Sequence, residues 1–131
     1  AAGQYKEAAL AYMTAAGRFG RSGEDNRETD HRVRELTAQC YCNLAMARLK
    51  LFQDTPGEPA LLEEALQNAT GAILLMPKWE KAHFRRGMCH ERAGETQLAH
   101  TDFVRAEQLC VKANAEISCA VNRTRSARRG T

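Results

Sequence analysis

The sequence predicts an all-α fold, an α-solenoid of antiparallel helical hairpins, and three observations predict it. Alanines recur 34 residues apart, from Ala65 to Ala99 and from Ala72 to Ala106. The spacing of alanine, aromatic and alanine in Ala99, Phe103 and Ala106 reappears in Ala8, Tyr12 and Ala15. Apolar residues follow helical steps along the whole chain, and no stretch alternates as a strand does. Small residues at such steps let helix axes approach closely, while larger side chains interlock beside them.

Taken in chain order, residues 1–18 form the second helix of a first hairpin, beginning near Gln4. Its apolar stripe of Tyr5, Leu10, Tyr12 and Met13 has no preceding helix to face. An uncovered stripe is a liability in water, so a second copy of the chain or a rearranged neighbouring segment is expected to cover it. Residues 19–31 form a polar insertion. Residues 32–76 form the second hairpin, with a first helix to about residue 52 carrying Tyr41, Leu44 and Ala45. A loop follows at residues 53–59, where Pro56, Gly57 and Pro59 punctuate the chain. The hairpin's second helix starts near Ala60, carries Ala65 and Ala72 and is closed by Pro77.

Residues 77–111 form the third hairpin, with helices from about Trp79 to Ala93, carrying Phe84 and Gly87, and from about Thr96. Residues 112–131 form a terminal helix and basic tail. Leu109, Val111, Ile117, Cys119 and Val121 supply the apolar face that covers the end of such a stack. A break at residues 112–115 and an unbroken helix are both compatible with this stretch.

Composition narrows the function. A chain of 131 residues forms one domain, and no apolar run approaches the length of a membrane span. The first residues show neither the basic start nor the apolar core of a secretion signal. The net charge of +3 is concentrated at the end, where Lys112, Arg123, Arg125, Arg128 and Arg129 face a single acid, Glu116. Five cysteines, Cys40, Cys42, Cys89, Cys110 and Cys119, are odd in number and lack disulfide or metal spacing. They read as reduced, core-filling thiols of a cytoplasmic protein. Two Asn-x-Thr triplets, at Asn68 and Asn122, fall in helical patterns and read as chance matches.

The hairpin unit Gly87…Ala99-x-x-x-Phe103-x-x-Ala106, opening after Pro77, resembles the tetratricopeptide repeat. Within that superfamily, Lys81-Ala82-His83-Phe84-Arg85-Arg86-Gly87 resembles the third repeat of chaperone-binding proteins. Cys42-Asn43-Leu44-Ala45-Met46-Ala47-Arg48-Leu49-Lys50-Leu51 resembles the corresponding helix of the large immunophilins, which join such repeats to a peptidyl-prolyl isomerase domain. The resemblance implies a co-chaperone module whose carboxylate clamp grips the acidic C-terminal peptide, of Glu-Glu-Val-Asp type, of the 70 or 90 kDa heat-shock chaperones. It assigns peptide binding to Asn43, Lys81 and Arg85. A lysine and an asparagine that complete the clamp in those relatives lie on a first helix with no counterpart here.

The chemistry agrees with that assignment. Lys81 and Arg85 stand four apart and project to one helix face, where they can pair an α-carboxylate and acidic side chains. The bland reading is an ordinary solvated cationic face, as most such pairs are. The register of both residues to Pro77 and Gly87, with Asn43 at the amide position, favours the clamp. His83 and His90 invite a metal reading, with Cys89 adjacent, yet they occupy packing positions of the repeat and read as core substitutions. Trp79 reads as a packing residue. No nucleophile spacing, phosphate loop or carboxylate pair for catalysis is present, so no enzyme, cofactor or metal is expected. Two competing functions remain: a general scaffold for a different peptide, and a nucleic-acid or membrane-surface binder using the arginines from Arg123 to Arg129. The expectation is neither nucleic acid nor membrane.

Overall fold

The computed structural model describes residues 27–55 and 57–129. Five helices follow one another: α1 (Arg27–Asp54), α2 (Pro59–Leu75), α3 (Glu80–Arg92), α4 (Thr96–Leu109) and α5 (Ala115–Arg129). Among the described residues there is no strand. Each helix packs on the next, and α1 also touches α3. Links of three to five residues between packed neighbours require antiparallel pairs, so the order of contacts is that of a helical stack. The expected first helix, its Tyr5, Leu10, Tyr12 and Met13 stripe and most of the polar insertion lie outside the described residues.

Helix ends follow local chemistry. α1 begins at Arg27, inside the segment expected as insertion, because Arg27 to His31 are charged or polar residues that a helix tolerates and no Gly or Pro interrupts them. Pro59 sits in the first turn of α2, where its missing N–H costs nothing. The far end of α2 stops at Met76, whose φ of −134° and ψ of 74° lie outside the helical region that the following Pro77 disfavours. α3 ends on Gly94 with φ of +80°; Glu95 N–H donates to His90 C=O at 2.9 Å and Gly94 N–H to Glu91 C=O at 3.1 Å. That is a left-handed glycine stop, which a residue with a Cβ adopts only under strain. α4 ends at Leu109 and α5 starts at Ala115, so the break between them is real.

Alanine steps place the core. Leu61, Ala65, Ala69 and Ala72 form the buried face of α2, and Tyr41 of α1 lies against Gly71. Ala38, Cys42, Ala72 and Ala82 form a second contact layer on which Trp79 packs, as expected of that tryptophan. Ala99, Phe103 and Ala106 of α4 are fully buried with Ile117, Ala120 and Val121 of α5. At the α3–α4 crossing, a Cβ added to Gly87 would lie 2.6 Å from Cε1 of Phe103, so only glycine fits beneath that ring.

Three expectations need correction. Val111 is fully exposed in the α4–α5 link and Cys119 faces solvent; the buried face of α5 is Ile117, Ala120, Val121 and Thr124, the residues at helical steps. Of the five thiols, only Cys42 and Cys89 fill the core; Cys40 and Cys110 are half-buried. His83 and His90 are buried as expected, but as polar members of the interior rather than as plain aromatic substitutes. His83 Nε2 lies 2.8 Å from the Pro77 carbonyl. His90 Nε2 lies 3.7 Å from Asp102, which Arg86 grips with two bonds of 2.9 and 2.8 Å.

The two glycosylation-like triplets lie in α2 and α5. Thr70 Oγ1 donates to the Leu66 carbonyl and Thr124 is buried, so both are helix-packing residues.

Candidate functional site

A groove of about 860 Å³ runs between α1, α3 and α5. Met46 and Leu49 of α1 form one side, Phe84, Arg85, Met88, Glu91 and Arg92 of α3 the floor, and Glu116, Cys119 and Arg123 of α5 the other side. It continues into a smaller cleft of about 190 Å³ between the starts of α3 and α5, lined by Glu80, Lys81, Phe84 and Arg85 of α3, by Glu116 and Ile117 of α5 and by Asn114. The structure therefore brings Lys81 and Arg85 together on α3, as their spacing requires. Asn43 is exposed on α1, one turn before Met46; it lines neither cavity directly.

Electrostatics link these helices. Burial pushes the Cys42 thiol up to about 11, while the nearby charges of Arg85 and then Lys81 pull it down. Burial likewise pushes Cys89 up to about 12 against the pull of Arg85. Lys81 is exposed, with Nζ 6.0 Å from the centroid of the Trp79 ring.

Arg85 differs from the other half-buried arginines. Arg48 bonds Asn68 at 2.8 Å and stands 3.5 Å from Glu64, and Arg86 is held by Asp102. Arg85 has Met88 Sδ at 3.7 Å and the Phe84 ring at 6.0 Å, and its buried Nε has no hydrogen-bond partner among the described residues.

The tail contributes less free charge than its composition suggested. Arg123 is bound by Glu91 through two bonds of 2.8 and 2.9 Å, which anchors α5 to α3. The side chains of Arg128 and Arg129 lie outside the described residues. Among the described residues no cluster of three His, Cys, Asp or Glu could hold a metal, and no helix is long and apolar enough to cross a membrane.

Sequence reasoning missed the thioether and aromatic floor of Met46, Leu49, Phe84 and Met88, and the acidic Glu116 beside the two cations. The floor had a signal in the pairs Met46–Leu49 and Phe84–Met88, each on one helix face. The position of Glu116 had none, since it depends on how α5 docks.

No protein-family model matches the chain. Peptidyl-prolyl cis-trans isomerase FKBP4 of Bos taurus is 30% identical over 107 residues, covering 82% of this chain and 22% of the relative. The Homo sapiens FKBP4 is 29% identical over the same length. The chain therefore spans about a fifth of the curated relatives it matches. Among solved structures, the TPR domain of Arabidopsis OM64 superposes with a TM-score of 0.58 at 24% identity, over 95% of this chain and 94% of that one. The second TPR domain of human RPAP3, determined in complex with the HSP70 peptide SGPTIEEVD, gives 0.58 at 23% identity, over 92% and 98%. Antiparallel helices crossing at buried alanines and at Gly87, together with these likenesses, give the chain the fold of a tetratricopeptide-repeat domain, with a sequence similar to one segment of FKBP4.

Proposed function

We propose that this domain binds the acidic C-terminal peptide, of Glu-Glu-Val-Asp type, of 70 or 90 kDa heat-shock chaperones, as the docking module of a cytoplasmic co-chaperone or immunophilin-like protein. The observation that carries this reading is Arg85, half-buried beside Lys81 in an open groove and without an ion pair among the described residues. Lys81 and Arg85 pair the terminal carboxylate and acidic side chains, and Asn43 donates its amide from α1. The apolar floor of Met46, Leu49, Phe84 and Met88 takes the uncharged part of the peptide. RPAP3, similar in fold, is known with such a peptide bound. In this reading α1 with α2 and α3 with α4 are successive repeats, α5 covers the end of the stack, and the domain binds rather than catalyses.

The test is titration with a labelled peptide ending Met-Glu-Glu-Val-Asp, against the same peptide amidated at its C-terminus. A charge-assisted hydrogen bond contributes about 1.5–3 kcal/mol when shielded, so Lys81→Ala or Arg85→Ala weakens binding about tenfold or more. Arg105→Ala is the control, because Arg105 is exposed on α4, which lines none of the groove. Equal binding of the amidated peptide, or indifference to both α3 substitutions, would replace this reading with that of a scaffold for another partner.

A further inference from the structure

Within α3, the Arg85 guanidinium donates from Nη1 to Met88 Sδ at 3.7 Å, while its buried Nε–H has no hydrogen-bond partner among the described residues. Glu80 and Glu116 share the neighbouring cleft with Arg85, but neither forms an ion pair with it among the described residues. A thioether sulfur is a weak acceptor, so the cation is held in place without being neutralised.

The same sulfur is open to solvent chemistry, because Met88 is half-buried and lines the large open groove. A thioether in such a place takes one oxygen atom from a peroxide. Two electrons leave the sulfur, the O–O bond breaks, one oxygen becomes the sulfoxide and the other leaves as water. The new oxygen sits on the atom that already meets Arg85 Nη1. It is a polar acceptor, and hydrogen bonds from an ionised donor are about twice as strong as neutral ones. Met46 also lines the groove and Met76 lines a small cavity with Trp79, but neither sulfur accepts a bond from a cation among the described residues.

We propose that Met88 is an oxidation site that regulates this groove: its sulfoxide engages the Arg85 guanidinium and weakens the hold on an acidic peptide, and sulfoxide reduction restores it. The inference rests on the clamp reading, and its test separates the two.

The 131-residue chain is treated with hydrogen peroxide, quenched with catalase and returned to dithiothreitol, which reverses thiol oxidation and leaves sulfoxides in place. Mass mapping reads which methionines gain one oxygen. Fluorescence anisotropy reads the affinity for a methionine-free peptide ending Glu-Glu-Val-Asp. Arginine carries five N–H donors, so the sulfoxide competes with the peptide carboxylate without exhausting the guanidinium, and the expected fall in affinity is about three- to tenfold. The pair of methionine sulfoxide reductases, one for each epimer, should return the affinity to its starting value. Each variant is compared with its own untreated form. In Met88→Leu, a volume-conserving change, treatment should alter affinity by less than about twofold, while Met46→Leu should still show the fall. Arg85→Ala separates a bond to the guanidinium from a disturbed apolar floor: with the cation gone, oxidised Met88 should cost less than about twofold. If Met88 stays unoxidised in the folded chain, if the fall survives Met88→Leu, or if it is as large in Arg85→Ala, this inference fails and the clamp stands. If the untreated chain does not bind the peptide, the clamp fails and this inference falls with it.

Discussion

Gly87→Ala should destabilise this domain although alanine is the better helix former. An added Cβ would sit 2.6 and 2.7 Å from Cε1 and Cδ1 of Phe103, about 1 Å inside ordinary carbon contact. Phe103 cannot yield: it is fully buried, lies between Ala99 and Ala106, and packs on Phe84 with ring centroids 5.5 Å apart. Overpacking of this kind costs about 1–3 kcal/mol, while replacing a mid-helix glycine by alanine returns about 0.8–1 kcal/mol of propensity. The net expectation is a loss of about 1 kcal/mol, read by urea unfolding followed through far-ultraviolet circular dichroism. The sharper measurement is a double-mutant cycle. In a Phe103→Val background the ring is gone, so Gly87→Ala should change sign and stabilise by about 0.5–1 kcal/mol, giving a coupling of about 1–3 kcal/mol. Stabilisation by Gly87→Ala with Phe103 present, or the same effect in both backgrounds, would refute the argument that this crossing requires glycine.

Asp102→Ala should cost about 2–3 kcal/mol in the same assay, because it leaves the guanidinium of Arg86 without its two bonds while 28% of that side chain still reaches water. Thiol reagents at pH 8 should modify exposed Cys119 first, half-buried Cys40 and Cys110 more slowly, and Cys42 and Cys89 only on unfolding; rapid loss of either buried thiol in the native state would contradict their placement. Stability should fall as pH rises from about 9 to 11, since the folded state keeps the protons of Cys42 and Cys89, pushed up to about 11 and 12, while the unfolded chain releases them near the ordinary value of 9.0. The folded state binds more protons in that window, so the slope is negative, and a Cys42→Ala, Cys89→Ala variant should show a shallower decline.

The sequence by itself determined the helical repeat. Ala65, Ala72, Ala99, Phe103, Ala106 and Gly87 announce where helices cross, because spacing along a helix dictates which residues share a face and small size dictates where axes approach. The same local rule brought Lys81 and Arg85 together, and Pro77 ended α2 through a restriction on its immediate neighbour. Other features were decided only by tertiary structure, since they depend on which surface a helix turns towards a distant partner. The docking of α5 on α3 and α4 buried Ala120 and Thr124, left Cys119 exposed and tied Arg123 to Glu91, 32 residues away. Packing likewise gave Asp102 to Arg86 but left Arg85, one residue earlier on α3, without an ion pair among the described residues. Neighbouring arginines on a helix point about 100° apart, and only the fold decides which of them meets an internal acid and which is left facing an open groove.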